Sequence, residues 1–320
     1  QGDHRMSSRA LFMVAAPLLL AALLSRSSDA LDNKKKVKHP QQWEYLDNGI
    51  VRIGIDKSRG ACIGYFAESK TRRNLLNNYD EGRFIQQSYY GRPDGSKWNG
   101  KPWVYNPVQG GHAKGKRSRL LSFKKDQEKK TIAARVEPLS WASGIACPEA
   151  LMATMISLEG PLARVRFRMD YTGKDQSSVH DQEMPAVFAD AELPNLVYSE
   201  NGKLKRRVPG WPNERGKATE SWVAYLDDQD WGIGIFTPGT ETFTCYRFKG
   251  DGKTGPGGSA CSYVAPLRRF SLQKGLAVDY EVFLTIGTLA EIRSRFDRLR
   301  RKRTPTNPSP GKQPQKKKQG

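Results

Sequence analysis

The sequence predicts an all-β fold, a large antiparallel β-sandwich with a C-terminal amphipathic helix. Two observations carry this. Short apolar segments with period-two alternation follow one another along most of the chain, and no long stretch between 150 and 287 holds a sustained helical stripe. Beyond them Leu289, Ile292, Phe296 and Leu299 fall at helical spacing, so "TLAEIRSRFDRLRRKR" (288–303) reads as a terminal helix. Strands without interleaved helices argue for sheets packed face to face.

The segments follow in order. From Met6, an arginine, the apolar run 10–24 and the small residues Ser28 and Ala30 read as a secretory signal over 1–30. The run is shorter than the ~20 residues a bilayer span needs. No stable membrane span is therefore expected after signal removal, and the protein is expected to be secreted or periplasmic. Residues 31–42 read as a basic linker and 43–303 as the sandwich domain. "IVRIGID" (50–56) and "ACIGYFA" (61–67) flank "KSRG", a hairpin signal. "LARVRFRMDY" (162–171) alternates as a half-exposed strand does. "SWVAYLDD", "WGIGIFT", "TFTCYRF" and "VDYEVFLTI" continue the series. Residues 304–320, rich in proline and lysine, cannot bury enough surface to offset ordering and read as a disordered tail.

The net charge of +20 is concentrated at the ends: +4 in residues 1–40 and +9 in 291–320. Such tails attract any polyanion by counterion release. In an exported chain this favours an anionic glycan or envelope partner over nucleic acid, which is not expected to bind. No glycine-rich phosphate loop, Gly-x-Ser-x-Gly elbow, His-Glu-x-x-His motif or CxxC pair occurs, so no cofactor and no metal is expected. Cys245 and Cys261 flank a glycine-rich loop between two strand-like runs. A hairpin there would make them disulfide partners worth about 3 kcal/mol in the chain-entropy model.

Three segments gather chemistry. "NNYDEGRFIQQSYYG" (77–91) holds acids, an arginine, amides and tyrosines with little aliphatic filler. It continues to residue 112 with tryptophans and no period, the mark of a functional loop. "SSVHDQEMPAVFADAELPNLVYSENG" (177–202) and "VPGWPNERGKATESWVAYLDD" (208–228) lead into strands, where a scaffold can hold site residues rigidly. Aromatics beside amides, guanidinium and carboxylates suit a sugar: the CH face stacks and the hydroxyls hydrogen-bond. The expected substrate-binding residues are Arg83, Gln87, Tyr89, Trp103 and Trp222. Glu220, His180 and Glu183 are the acid/base candidates, Glu220 first, with Asp80 and Glu81 as further carboxylates. The expected partner is a polysaccharide or oligosaccharide, cleaved by a hydrolase or lyase. The same aromatics would equally serve a non-catalytic glycan-binding or envelope-associated protein.

"LDNGIVRIGIDKSRGACIGYFAE" (46–68) resembles the first strands of the galactose mutarotase-like supersandwich. "DEGRFIQQSYY", "NPVQGG", "HDQEMPAV" and "ESWVAYLDDQDWGIGIFTPG" resemble segments of uncharacterised secreted proteins of carbohydrate-degrading bacteria. The resemblance spans roughly residues 43–300 and implies a supersandwich fold found in aldose epimerases, glycoside hydrolases and polysaccharide lyases. It implies for His180, with Glu183 or Glu220, the histidine acid and glutamate base of mutarotases.

Overall fold

A computed structural model describes residues 41–303; the signal, most of the linker and the tail lie outside the described residues. Every strand pair named below is antiparallel. The first hairpin forms as its sequence predicts, Trp43–Asp47, Val51–Asp56 and Cys62–Glu68 making a three-stranded sheet.

Two larger sheets form the sandwich. The nine-stranded sheet runs Lys203–Arg207, Asn195–Glu200, Trp222–Leu226, Trp231–Phe236, Ala277–Thr288, Leu162–Tyr171, Ala150–Glu159, Thr131–Glu137, Arg119–Asp126. The seven-stranded sheet runs Leu139–Ser140, Pro107–Val108, Gln86–Ser88, His180–Asp190, Cys261–Phe270, Thr242–Phe248, Glu214–Lys217. Alternation decides which side chains meet. Val165, Phe167 and Met169 turn inward and are fully buried, while Arg164, Arg166 and Arg168 between them pair outside with Glu281, Asp279 and Asp170. The main core takes inward residues of both sheets and of the first hairpin.

The helix spans Leu289–Arg303. It starts with a capping box: the Thr288 hydroxyl accepts from the Glu291 amide at 3.4 Å, and Glu291 Oε2 accepts from the Thr288 amide at 2.8 Å. Ile292 and Phe296 bury against Val197, Trp222, Phe236 and Phe283 on the outer face of the nine-stranded sheet. A fully buried phenylalanine contributes about 1.5–3 kcal/mol over an exposed one. The helix therefore covers that face, and Trp222, 1 % exposed, belongs to its packing and not to a ligand surface.

Two expectations fail here. The segment 77–112 is not structureless. It holds Gln86–Ser88, Pro107–Val108 and a separate hairpin, Pro93–Trp98 with Lys101–Val104. These strands are too short for alternation to stand out in the sequence. The Cys245–Cys261 disulfide is also absent: both thiols, like Cys62 and Cys147, are free and buried. The predicted hairpin does form, but Cys245 lies opposite Val264 and Cys261 opposite Phe248. Three residues of register separate them, about 10 Å at 3.3 Å per residue, beyond disulfide reach.

Candidate functional site

The strand His180–Asp190 is central to the seven-stranded sheet. Its register with Cys261–Phe270 is regular from His180 to Glu183 and slips before Val187. Pro185 lies in that slip and has no amide hydrogen to give the ladder. Gln182 is fully buried and bonds the Tyr90 amide and carbonyl and the Phe270 carbonyl. Asp181 and Glu183 alternate to the opposite side, the outer face of the sheet.

On that face Glu183 Oε1 accepts two hydroxyls, Tyr90 at 2.9 Å and Tyr263 at 2.6 Å. Burial pushes the Glu183 carboxyl above its ordinary range, and the bonds from Tyr263, Tyr90 and Ser88 only partly offset it. Burial likewise raises Tyr90 and Tyr263, reinforced by the nearby Glu183 charge, so both keep their protons and donate. With both tyrosine hydroxyls on Oε1, a proton on the carboxyl is best placed on Oε2. Ser88 carries the connection outward: Asn106 Nδ2 donates to its hydroxyl at 3.2 Å, and Trp103 Nε1 donates to Asn106 Oδ1 at 3.3 Å. Trp98, 5.2 Å from Trp103 and 6.2 Å from Trp141, extends an aromatic cluster on this side.

On the other side of Glu183 a run of rings covers the sheet. Tyr263 contacts Phe188 at 4.7 Å and stacks on Tyr246 at 4.3 Å. Trp211 then packs at 4.9 Å on both Tyr246 and Phe248 and stays 58 % exposed. Arg83 lies over Tyr79 and Phe248 at 5.1 and 5.3 Å, pairs with Asp80 at 3.5 Å and donates to the Ser259 carbonyl. The arrangement ends in one exposed ring, Trp211, and encloses a desolvated carboxyl among buried tyrosines.

The predicted residues divide. Glu183 lies at the centre of this face, Trp103 reaches it through Asn106 and Ser88, and Arg83 flanks the ring run. Gln87 and Tyr89 do not belong to it. Both are fully buried between the sheets, where Gln87 donates to the Ala153 carbonyl and accepts from the Tyr89 hydroxyl. In "QQSYY" alternate positions face out, so Ser88 and Tyr90 take the places assigned to their neighbours. His180 sits on the Gln182 side of its strand, with Nε2 buried and without a partner. Glu81 pairs with Arg117 at 3.5 Å. The rings of Tyr246, Phe248 and Tyr263 were missed, although the period of two in "TFTCYRF" separates Thr244, Tyr246 and Phe248 from the buried Phe243 and Cys245.

Glu220 and Trp222 are on the wrong sheet for this site. Glu220 Oε2 accepts from Trp222 Nε1 at 3.0 Å and pairs with Arg300 of the helix at 3.3 Å. It ties the helix to the strand it lies on. Arg300 is 40 % exposed, and half-exposed pairs contribute about 0–1 kcal/mol. Glu220→Gln, which keeps an acceptor for Trp222, should therefore change stability by about 1 kcal/mol or less. Thermal denaturation checks this; a loss of several kcal/mol would mean the pair is a main anchor of the helix.

Among the described residues no cluster of three or more metal-ligating side chains occurs. No protein-family model matches the chain, and no curated protein matches it. Solved structures similar to it include a galactose mutarotase-like protein from Lactobacillus casei, 11 % identical, TM-score 0.49, covering 77 % of this chain and 100 % of that one. Another is a galactose mutarotase related enzyme from Lactobacillus acidophilus, 11 % identical, TM-score 0.47, covering 77 % and 97 %. Likenesses of this size assign neither activity nor site, which rest on this chain's own residues.

Proposed function

We propose that the chain is a secreted carbohydrate-active protein that binds a polysaccharide or oligosaccharide on the outer face of the seven-stranded sheet. The observation that carries this is Trp211, 58 % exposed over the half-buried Tyr246, with the buried Tyr263 beneath it bonded to Glu183. A pyranose needs an apolar plane for its CH face and hydrogen-bonding groups at its edge, and this face supplies both. Glu183 is the proton donor. Its neutral acid, with Oε1 held by two tyrosines, gives a proton from Oε2 to a bridging or ring oxygen of the sugar. In hydrolysis or elimination this is the step that releases the leaving oxygen.

A second reading, a non-catalytic glycan binder, is favoured by one observation. The other carboxylates on or beside this face are already in ion pairs, Asp181 with Arg215 and Arg269, and Asp80 with Arg83. Among the described residues neither Asp181 nor Asp80 is left unpaired to act as the partner acid. The platform is tested by Trp211→Ala, measured by calorimetry against a panel of neutral and acidic oligosaccharides. Affinity for the binding glycan should fall roughly three- to tenfold with little change in melting temperature. Unchanged affinity would remove the ring run from the site.

A further inference from the structure

One group on the same face is not used by the sugar-stacking surface. Asp181 lies two residues before Glu183 on the same side of the strand, about 6.6 Å away at 3.3 Å per residue. That is near the span of one sugar ring. Two arginines from different strands converge on it. Arg215 Nη2 bonds Asp181 Oδ2 at 2.6 Å, and Arg269 Nη1 lies 3.7 Å from Oδ1. Arg269 is directly opposite Asp181 in the ladder, and Arg215 is opposite Thr244, on the side that carries Tyr246. All three side chains therefore share the outer face with Glu183 and the rings.

The charge does not balance. Two guanidinium groups meet one carboxylate, leaving a surplus of one positive charge. Both arginine side chains are 70 % exposed, while Asp181 is 21 % exposed beneath them. Among the described residues Arg215 donates one hydrogen bond, to Asp181, and Arg269 donates none. Most of their donors are thus unused, in the planar forks that fit a carboxylate or sulfate. The strands fix where the forks stand, and Asp181 holds both near one point. A stability role would be better served by one arginine, because a second exposed guanidinium gains little from a carboxylate already bonded. Burial, which raises the Glu183 carboxyl, lessens the charge it sets against an anion bound one ring away.

We infer that Arg215 and Arg269 form an acidic-group subsite, so that the preferred ligand is a saccharide bearing a carboxylate or sulfate on the ring next to the one over Glu183. This rests on the saccharide reading above and narrows it to acidic glycans.

The test uses the full chain and a panel of oligogalacturonate, alginate and chondroitin sulfate oligosaccharides. Beside them stand the carboxyl-reduced forms of the uronates, the desulfated chondroitin, and neutral glucan, xylan and galactan oligomers. Wild-type protein should bind at least one acidic member at least tenfold more tightly than its neutralised form. Arg269→Gln and Arg215→Gln should each weaken that binding about tenfold to a hundredfold, the worth of a lost charge-assisted bond. Each should leave the melting temperature and the affinity for the neutralised form nearly unchanged. Arg269→Lys, which keeps the charge and loses the fork, should fall between. The subsite is overturned if the neutralised form binds as well as the acidic one, or if the double Gln variant keeps wild-type affinity. Should no saccharide of either kind bind the wild type, the saccharide reading fails and the subsite fails with it.

Discussion

Glu183→Gln should lower turnover on the bound glycan about 10²–10⁴-fold while leaving its affinity within a few-fold. The amide oxygen can accept from Tyr90 and Tyr263 as Oε1 does, so the floor of the site keeps its shape. The proton that Oε2 would donate is gone. Unchanged turnover with a confirmed substrate would place the acid elsewhere. Unchanged binding, with no turnover by wild type or variant on any panel member, would favour the non-catalytic binder. The same substitution has a stability signature that needs no substrate. Burial raises the Glu183 carboxyl in the folded protein above its unfolded value of about 4.5. The folded state therefore holds this proton more tightly, and its contribution is fully present below that unfolded value. Stability from this group falls as pH rises through the raised folded value, then levels. In Glu183→Gln this decline should vanish, so the variant gains on wild type as pH rises from 4.5 through the raised folded value. Parallel stability curves for the two proteins across that range would show that Glu183 ionises as freely as in the unfolded chain.

Arg59→Ala should cost about 3–5 kcal/mol, seen as a fall of roughly 6–20 °C in Tm. Arg59 and Asp56 form the most deeply buried ion pair among the described residues, 2.8 Å apart with side chains 4 % and 0 % exposed. Removing the guanidinium strands a buried carboxylate, which is far costlier than removing a surface pair. Arg59 also donates to the Asn78 carbonyl at 2.9 Å and lies over Phe84 at 4.6 Å. It thereby holds the loop that carries Asp80 and Arg83 against the first hairpin, so the variant should also bind the glycan less well. Asp56 sets the pH dependence. Burial alone would raise its carboxyl, but bonds from Ser58, Arg59 and the Gln42 amide outweigh this and hold it below its ordinary 3.8. The stability it contributes is present above that unfolded value and is lost as pH falls through the lower folded one. A loss below 1 kcal/mol in Arg59→Ala would mean that water replaces the guanidinium at little cost.

The sequence by itself determined the sandwich, because burying one face of each strand imposes a period of two that any reader of the residues can follow. "LARVRFRMDY" and "VDYEVFLTI" became neighbours in one sheet. Leu289, Ile292, Phe296 and Leu299 became one helix whose apolar side meets that sheet. Tertiary structure alone decided which polar residues face a ligand. The amides of "NNYDEGRFIQQSYYG", with Gln87 named among the binding residues, suited a sugar, but a buried loop must satisfy its backbone. Asn77 donates to three carbonyls of the 255–260 turn, and Gln86 bonds the Glu81 and Gly82 carbonyls and the Gly110 amide. A hydrogen-bonding side chain does the same local chemistry for a backbone as for a sugar, so composition cannot tell the two apart. Register also lies beyond the sequence. One residue of slip at Pro185 sets which side of the strand each residue after Glu183 faces, and three residues of offset separate Cys245 from Cys261. Glu220 and Glu183 each sit near the start of a strand beside aromatic residues. Only the order of strands, which is fixed by contacts far apart in the chain, put one beneath a helix and the other among tyrosines of the opposite sheet.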